Sequence, residues 1–103
     1  MSTLDKVSVA LTSKAYFDGQ VTSRNITFAD GEIKTLGLML PGEYEFGTAA
    51  PELMQILSGE VEVRLAGENS WTSYTGGQEF NVVGDSKFAI KVKQVTDYLC
   101  TYG

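Results

Sequence analysis

PGEYEFGTAAPELMQILSGEVEV, residues 41–63, reads as two strands joined by a broad turn, followed by a sharp hairpin into a third strand. Pro41-Gly42 ends the preceding strand, because proline donates no ladder hydrogen bond and glycine tolerates positive φ. Apolar and polar residues then alternate with a period of two, which is typical of strands with one buried face. Gly59 separates two such runs and predicts a hairpin turn. This stretch therefore predicts an antiparallel β-structure.

Short runs rich in β-branched and aromatic residues recur on both sides of this stretch, separated by turn signals such as Asp30-Gly31 and Gly76-Gly77. The N-terminal residues around Val7, Val9 and Leu11 also alternate, so they form either a half-buried strand or a loosely held arm. No long window has a helical period. Short strands at this spacing indicate an all-β sandwich or barrel in one domain. The predicted strands on either side of the opening stretch cover residues 21–28, 33–40, 61–65, 70–75, 79–83, 87–93 and 96–102.

The composition and charge of the chain exclude several classes of protein. Its 103 residues are enough for one domain with a modest core. It has no apolar run of about 18 residues, so we expect no transmembrane helix and no membrane partner. The net charge is −5 and the eight lysines and arginines are scattered, which argues against a nucleic-acid polymer as partner. The single cysteine, Cys100, fits a reducing compartment, and we expect a cytoplasmic protein.

Two strand faces in residues 41–63 combine aromatic, hydroxyl and carboxyl groups. Tyr44, Phe46 and Thr48 share one face of their strand, and Glu52 shares a face of the next strand with two apolar residues. A largely apolar cavity with a few convergent polar groups is the usual form of a small-molecule site. Alternatively, the aromatic rings are simply core and Glu52 is solvated at a strand end. The pattern alone leaves both interpretations open.

The same stretch resembles the first metal-binding motif of cupins, which runs from a glycine through a His-x-His pair and a glutamate to a closing glycine. Gly42, Glu52 and Gly59 match this motif, whereas Thr48 and Ala50 stand where the histidines would. The resemblance implies a single-domain, cupin-like (RmlC-like) β-barrel or jelly roll. The chain contains no histidine, and one carboxylate makes a poor zinc or iron site. We therefore expect no metal and no cofactor.

Further motifs resemble the pyrimidine/purine nucleoside phosphorylases, a family of small cupins. The match begins near Lys14, so we expect a barrel domain over residues 14–103 and an N-terminal extension over residues 1–13 that goes beyond the usual start of the family, as an arm or an edge strand. It also implies a cytoplasmic bacterial homodimer, a pentosyltransferase that converts purine and pyrimidine nucleosides plus phosphate to free base and (deoxy)ribose 1-phosphate without a metal. The motifs occur in order as Ala15-Tyr-Phe-Asp-Gly19, Leu36-Gly-Leu-Met39, Gly42-Glu-Tyr-Glu-Phe46, Thr48-Ala-Ala-Pro-Glu52, Phe80-Asn-Val82, Gly84-Asp-Ser86 and Tyr98-Leu-Cys100.

The reaction of that family suggests roles for particular side chains. Glu52 is the candidate catalytic residue, because a carboxyl group near the sugar or the leaving base can stabilise the charge that develops in the transition state. Phosphate needs a cation or N–H donors, and the predicted cations are Lys87 and Lys34. The predicted substrate-binding residues are Tyr44, Phe46 and Phe80, as an apolar wall, and Thr48 and Ser86, as hydroxyl donors.

Two other classes of function fit the same residues. A metal-free cupin can bind or sense a nucleoside-like or sugar-like ligand without turning it over. A purely structural dimer would fill its interior with side chains and leave no cavity. Phosphate-dependent turnover separates the enzyme from the binding module, and a cavity separates both from the structural dimer.

Overall fold

The computed structural model describes residues 3–103. Within that range the chain forms strands and no helix, which confirms the prediction of a small all-β domain. The predicted strands end within one or two residues of the observed ones, and β2 was not predicted. The strands are β1 Ser8–Val9, β2 Lys14–Tyr16, β3 Val21–Thr27, β4 Ile33–Met39, β5 Gly42–Thr48, β6 Glu52–Ser58, β7 Glu60–Leu65, β8 Thr72–Thr75, β9 Glu79–Val82, β10 Ser86–Val92 and β11 Thr96–Tyr102.

The strands form two antiparallel sheets. The larger sheet has seven strands in the order β1-β3-β4-β11-β6-β9, with β2 beside β3. The smaller sheet has four strands in the order β5-β10-β7-β8. No ladder joins the two sheets within residues 3–103, so backbone pairing does not close a barrel there. The observed architecture is thus two facing sheets, and the cupin-like barrel or jelly roll stays a prediction.

The N-terminal segment joins the larger sheet at its edge. β1 pairs with the end of β3, and β2 pairs with the start of β3. The Arg24 side chain also donates hydrogen bonds to the carbonyl oxygens of Ala10 and Leu11, each at 3.4 Å. Residues 1 and 2 of the predicted extension lie outside the described residues. A domain boundary at residue 13 stays a prediction, and the observed pairing is that of an edge strand.

The core lies between the inner faces of the two sheets. Alternate residues of each strand point inward because successive side chains of a strand project to opposite faces. Burying one large apolar side chain stabilises the fold by about 1.5–3 kcal/mol. The larger sheet contributes Val21, Met39, Met54 and Ile56, and the smaller sheet contributes Val61, Val63, Phe88 and Ile90, all at most 4% exposed.

The hairpin between β6 and β7 depends on Gly59. Its φ of 106° lies in the region that favours glycine. A Cβ at this position would meet the side chain of Thr96 and would lie 2.8 Å from the carbonyl oxygen of Val95. The hairpin turn predicted at Gly59 is confirmed, and the absence of a side chain there also lets the hairpin approach the start of β11 closely.

The outer face of the smaller sheet is charged. Lys93 Nζ lies 2.9 Å from Glu62 Oε1, and weaker pairs link other lysines and glutamates at 3.8–4.0 Å. Arg64 and Lys91 both lie over the ring of Trp71, at 4.9 Å and 4.2 Å from its centroid. This face carries the ionised groups that a water-facing sheet surface usually has.

The outer face of the larger sheet is apolar at its centre. Strand alternation places Leu36 and Leu38 of β4, Leu99 of β11, and Leu53 and Leu57 of β6 on this face, opposite the side that faces the core. Leu99 is 7% exposed and Leu57 is 47% exposed. The two outer faces therefore differ in chemistry, one being charged and the other leucine-rich.

Candidate functional site

A cavity of about 200 Å³ lies between the two sheets. Both sheets supply its wall, which is mainly apolar with one carboxyl group, one thiol and several hydroxyls. This composition is typical of a small-molecule site. The lining residues are Tyr16, Ser23, Met39, Phe46, Gly47, Glu52, Met54, Phe88, Tyr98, Cys100 and Tyr102.

Glu52 supplies the carboxyl group of the cavity wall. It is the first residue of β6 and stands opposite Tyr102 of β11 and Val82 of β9. Its Oε1 accepts a hydrogen bond from the Sγ of Cys100 at 3.6 Å. Burial raises the pKa of Glu52 above its ordinary value of 4.5, and the hydrogen bond from Cys100 opposes this effect more weakly. The protonated carboxyl is thereby favoured, and it can donate a proton to a bound ligand.

Three cavity residues that sequence reasoning did not select lie on one face of β11. Tyr98, Cys100 and Tyr102 alternate with outward-facing residues, and this period of two was visible in the sequence. The alternation did not show that their face borders a cavity, because that depends on the partner strands β4 and β6.

The hydroxyl and thiol groups of β11 are held by neighbouring strands. The Tyr98 hydroxyl donates to the carbonyl oxygen of Thr22 at 3.1 Å, and the Tyr102 hydroxyl lies 2.9 Å from Thr35 Oγ1. Burial raises the pKa of Cys100 and of Tyr102 to about 12 each. Both groups keep their protons at neutral pH, so they are hydrogen-bond donors. Cys100 therefore lacks the thiolate that a nucleophile needs at that pH.

Tyr16 and Ser23 form a second hydroxyl pair in the cavity wall. Their hydroxyl oxygens lie 3.4 Å apart. Neither residue was selected from the sequence as a site residue. Their side chains meet because β2 pairs with β3, an arrangement that the short run Lys14–Tyr16 did not signal.

The two predicted aromatic residues of β5 lie in one cluster, but they differ in position. Phe46 lines the cavity, and its ring centroid lies 5.6 Å from those of both Phe17 and Phe88. Tyr44 packs against Phe17 at 5.0 Å, and its hydroxyl donates to the carbonyl oxygen of Leu40 at 2.7 Å. Tyr44 therefore supports the cluster from behind the residues that line the cavity.

The other predicted binding residues lie near the cavity but not in its described wall. Thr48 Oγ1 donates to the carbonyl oxygen of Val83 at 2.7 Å and accepts from the backbone N–H of Ser86 at 3.1 Å. Phe80 packs against Phe88 with ring centroids 5.8 Å apart. These contacts give Thr48 a structural role at the end of the β5–β10 ladder. Substrate binding by Thr48, Ser86 and Phe80 stays a prediction.

The predicted phosphate-binding lysines lie on outer faces of the sheets. Lys87 lies 4.0 Å from Glu45 Oε1 on the smaller sheet. Lys34 lies 4.0 Å from Glu32 Oε1, and its Nζ is 5.1 Å from the ring centroid of Phe28 on the larger sheet. The structure does not bring either lysine into the cavity, and the lining residues described include no lysine or arginine.

A wider depression of about 440 Å³ borders Glu52 on the outer side of the larger sheet, where β6 begins and β9 and β11 end. Its floor includes Thr101, whose Oγ1 is buried without a hydrogen-bond partner among residues 3–103. The neighbouring Val83 is 72% exposed. This depression lacks the ring of convergent hydroxyl groups that the cavity has.

Within the described range, no group of three or more histidine, cysteine, aspartate or glutamate side chains could hold a metal ion. The same range contains no helix that is long and apolar enough to cross a membrane.

The fold and the cavity define a class of small two-sheet β-domains. A crystal structure of a protein of unknown function from Acinetobacter sp. ADP1 is similar to this chain with a TM-score of 0.95 and 39% identity, covering 98% of both chains. A protein of unknown function from Vibrio parahaemolyticus gives a TM-score of 0.86 and 43% identity, covering 93% of this chain and 99% of that one. The EutQ protein of Clostridium difficile, at 14% identity and a TM-score of 0.66 over 80% of this chain and 67% of its own, shares the fold alone.

Relatives of the same length place the chain in a family. The relatives from Sulfurovum sp. (strain NBC37-1) and Hydrogenovibrio crunogenus are 60% and 54% identical over 102 residues, covering 99% of this chain and 99% and 98% of their own. Both are named pyrimidine/purine nucleoside phosphorylase, and the model of that family matches residues 11–102. The chain belongs to the pyrimidine/purine nucleoside phosphorylase family, which confirms the predicted resemblance. The long alignments also show that these two relatives share nearly all of the N-terminal segment.

Proposed function

We propose that this chain is a nucleoside phosphorylase of broad specificity that needs no metal. It would convert purine and pyrimidine nucleosides plus inorganic phosphate to free base and (deoxy)ribose 1-phosphate. Membership of the family supports the reaction. The single observation that supports a site for it is the partly buried Glu52 in an aromatic, hydroxyl-lined cavity. The cupin-like arrangement of the two sheets and a cytoplasmic location belong to the same proposal.

Glu52 acts as the general acid in this mechanism. The glycosidic bond between the sugar C1′ and the base nitrogen breaks, and its electron pair leaves with the base. The Glu52 carboxyl gives its proton to the departing base, while a phosphate oxygen forms the new bond to C1′. A carboxyl whose pKa is raised by burial is suited to this step, because more of it is protonated near neutral pH.

The size and lining of the cavity favour binding of one part of the nucleoside rather than enclosure of the whole molecule. At about 200 Å³ it is smaller than the usual range of about 300–1,000 Å³ for sites that enclose a drug-sized ligand. Phe46 and Phe88 offer a flat apolar surface without a strict hydrogen-bond code, which suits both purines and pyrimidines. The Tyr16–Ser23 and Tyr102–Thr35 hydroxyl pairs would bind the hydroxyls of the sugar.

Phosphate needs a cation or hydrogen-bond donors in this proposal. Lys34 and Lys87 remain the predicted cations, but a role for either would require phosphate to bind at an outer face or the side chain to reach around the sheet edge. Hydroxyl groups of the cavity can also donate to phosphate. Metal-free chemistry agrees with the donor set of the chain, which has no histidine and one cysteine.

A binding module remains the second candidate function. The observation that favours it is the lack of lysine and arginine among the described lining residues, since phosphate would have no cation beside it. Such a protein would hold a nucleoside or a sugar in the same cavity without cleaving it.

The deciding experiment measures release of free base from uridine and from adenosine by purified, EDTA-treated protein, with and without inorganic phosphate. The proposal predicts phosphate-dependent release with a pentose 1-phosphate product. Release without phosphate would indicate a hydrolase instead. Binding of either nucleoside without any release would favour the binding module.

The proposal includes a homodimer that forms through the leucine-rich outer face of the larger sheet. The smaller sheet has ion pairs on its outer face, whereas the larger sheet presents leucines on three neighbouring strands. Contiguous exposed apolar surface usually marks an interaction site. A second copy of the chain is the partner that we expect there.

A further inference from the structure

Cys100 contacts the proposed catalytic acid, and the mechanism above gives it no role. Its Sγ lies 3.6 Å from Oε1 of Glu52, and the residue is 2% exposed. Burial raises the pKa of the thiol to about 12, so the proton stays on sulfur at neutral pH. The thiol is therefore the donor of this hydrogen bond and the carboxyl oxygen is the acceptor.

The backbone fixes the position of this thiol from both sides. Cys100 lies on β11 in the interior of the larger sheet, paired with Thr35 of β4 and with Met54 of β6. Glu52 is also paired on both sides, with Tyr102 and Val82, but it is the first residue of its strand and is only partly buried. The cysteine is thus the more deeply buried partner of the contact, and the glutamate is the more accessible one.

We propose that Cys100 is a positioning residue that holds Oε1 of Glu52 and leaves the other carboxyl oxygen free to exchange a proton with the leaving base. The inference rests on the proposed function of Glu52 as the acid. A thiol is a weak donor. It can therefore orient the carboxyl without holding it firmly in the ionised state.

No charged side chain competes with this contact in the described part of the cavity. The titratable groups that face the pair are tyrosines, one from β2 and two from β11. The strands β3, β4, β5 and β10 contribute hydroxyl, thioether, backbone and aromatic groups. The facing residues are Tyr16, Tyr98 and Tyr102, followed by Ser23, Thr35, Met39, Phe46, Gly47 and Phe88.

The test follows the titration of Glu52 in two independent ways. The first is carbon-13 NMR of its side-chain carboxyl in the protein without substrate, and the second is the pH profile of kcat/KM for phosphorolysis. The hydrogen bond favours the ionised carboxylate, so its loss in Cys100→Ala raises the pKa of Glu52. Both midpoints should move up by about 0.5–1 pH unit. Activity at the pH optimum should fall about tenfold, chiefly in kcat.

The variant Cys100→Ser should shift both titration midpoints in the opposite direction. A serine hydroxyl is a stronger donor to a carboxylate than a thiol, so both midpoints should move down, with most of the activity at the optimum retained. This variant also carries the test if Cys100→Ala does not fold. The matched control is Val63→Ala, a buried residue of the smaller sheet, which should lower stability without moving either midpoint.

An unchanged NMR midpoint in Cys100→Ala, or an upward shift in Cys100→Ser, would overturn the inference. An NMR shift without a shift of the activity profile would also overturn it, because the ionisation that Cys100 controls would not be the one that limits the reaction. If wild-type protein shows no phosphorolysis while the NMR midpoints move as expected, the proposed function fails and the hold of Cys100 on Glu52 stands.

Discussion

The pKa of Glu52 links the site to the stability of the fold. Its folded-state pKa is raised by burial, so folding is favoured by protonation and the free energy of unfolding decreases as pH rises from 4.5 through the folded-state value. Glu52→Gln removes this dependence. Relative to wild type, the variant should therefore become more stable as pH increases over that window. Urea unfolding monitored by circular dichroism from acid to neutral pH measures the difference.

The control for this prediction is Glu62→Gln, where the sign reverses. The hydrogen bond from Lys93 lowers the pKa of Glu62, so its contribution is present above 4.5 and is lost as pH falls through the lower folded-state value. Glu62 is half-buried on a water-facing sheet surface, where solvent screens the ion pair, so the effect should be small. If the free energy of unfolding of both variants, relative to wild type, changed with pH in the same direction, the conclusion that burial raises the pKa of Glu52 would be contradicted.

The same substitution tests the chemistry. If Glu52 donates the proton to the leaving base, Glu52→Gln should lower kcat by about 10²–10⁴-fold, the usual contribution of general acid catalysis. Wild-type activity should decline as pH rises above the folded-state pKa of Glu52, because the acid form is then lost. Full phosphorolysis by a folded Glu52→Gln protein would remove the carboxyl group from the mechanism.

At the scale of single elements, the hairpin at Gly59 makes the sharpest prediction. Gly59→Ala forces an L-residue into a positive φ and places its Cβ against Thr96 and the Val95 carbonyl. The combined backbone and packing cost should be at least about 2 kcal/mol. Chemical denaturation measures this loss directly.

Gly67 offers a matched comparison for the hairpin. It also has a positive φ, 82°, but an added Cβ would meet nothing within 4 Å. Gly67→Ala should therefore lower the free energy of unfolding only through the strained backbone conformation, and it should destabilise the protein less than Gly59→Ala does. Equal losses of stability in the two variants would show that the close approach to β11 adds nothing to the cost of Gly59→Ala.

The elements themselves were predictable from local patterns, whereas much of the site was not. Alternation and glycine turns located nearly every strand, because these signals act over a few residues. Glu52 and Phe46, which flank one broad turn, both line the cavity, while their roles in catalysis and binding stay predictions. Tyr16 and Ser23 were missed, because the β2–β3 pairing that brings them together left no local signal.

Strand alternation also could not distinguish residues that line the cavity from inward-facing residues that pack elsewhere in the core. Thr48 and Tyr44 share the inward face of β5 with Phe46, yet their hydroxyls bond to nearby backbone groups. Lys34 and Lys87 were selected by charge alone, and their faces depend on the register of each sheet. Register and sheet order are long-range properties, so the sequence alone predicted which residues were chemically suited but not all of their positions.

At the scale of the whole molecule, the two outer faces predict how chains associate. If the leucine-rich face of the larger sheet forms the dimer contact, Leu57→Lys should convert the protein to a monomer by placing a charge in that contact. Sedimentation equilibrium measures the mass in solution. Ser73→Lys, on the outer face of the smaller sheet, is the control and should leave the mass unchanged. A Leu57→Lys protein that remains dimeric would exclude this face.

The placement of Trp71 gives the molecule two separable optical reporters. The single tryptophan lies on the charged face of the smaller sheet beneath Arg64 and Lys91, while three of the five tyrosines line the cavity. Tryptophan emission should therefore follow the unfolding of the smaller sheet and respond little when the cavity is filled. Tyrosine emission should respond to the ligand instead. One unlabelled sample can thus show by fluorescence whether a compound enters the cavity or merely stabilises the fold.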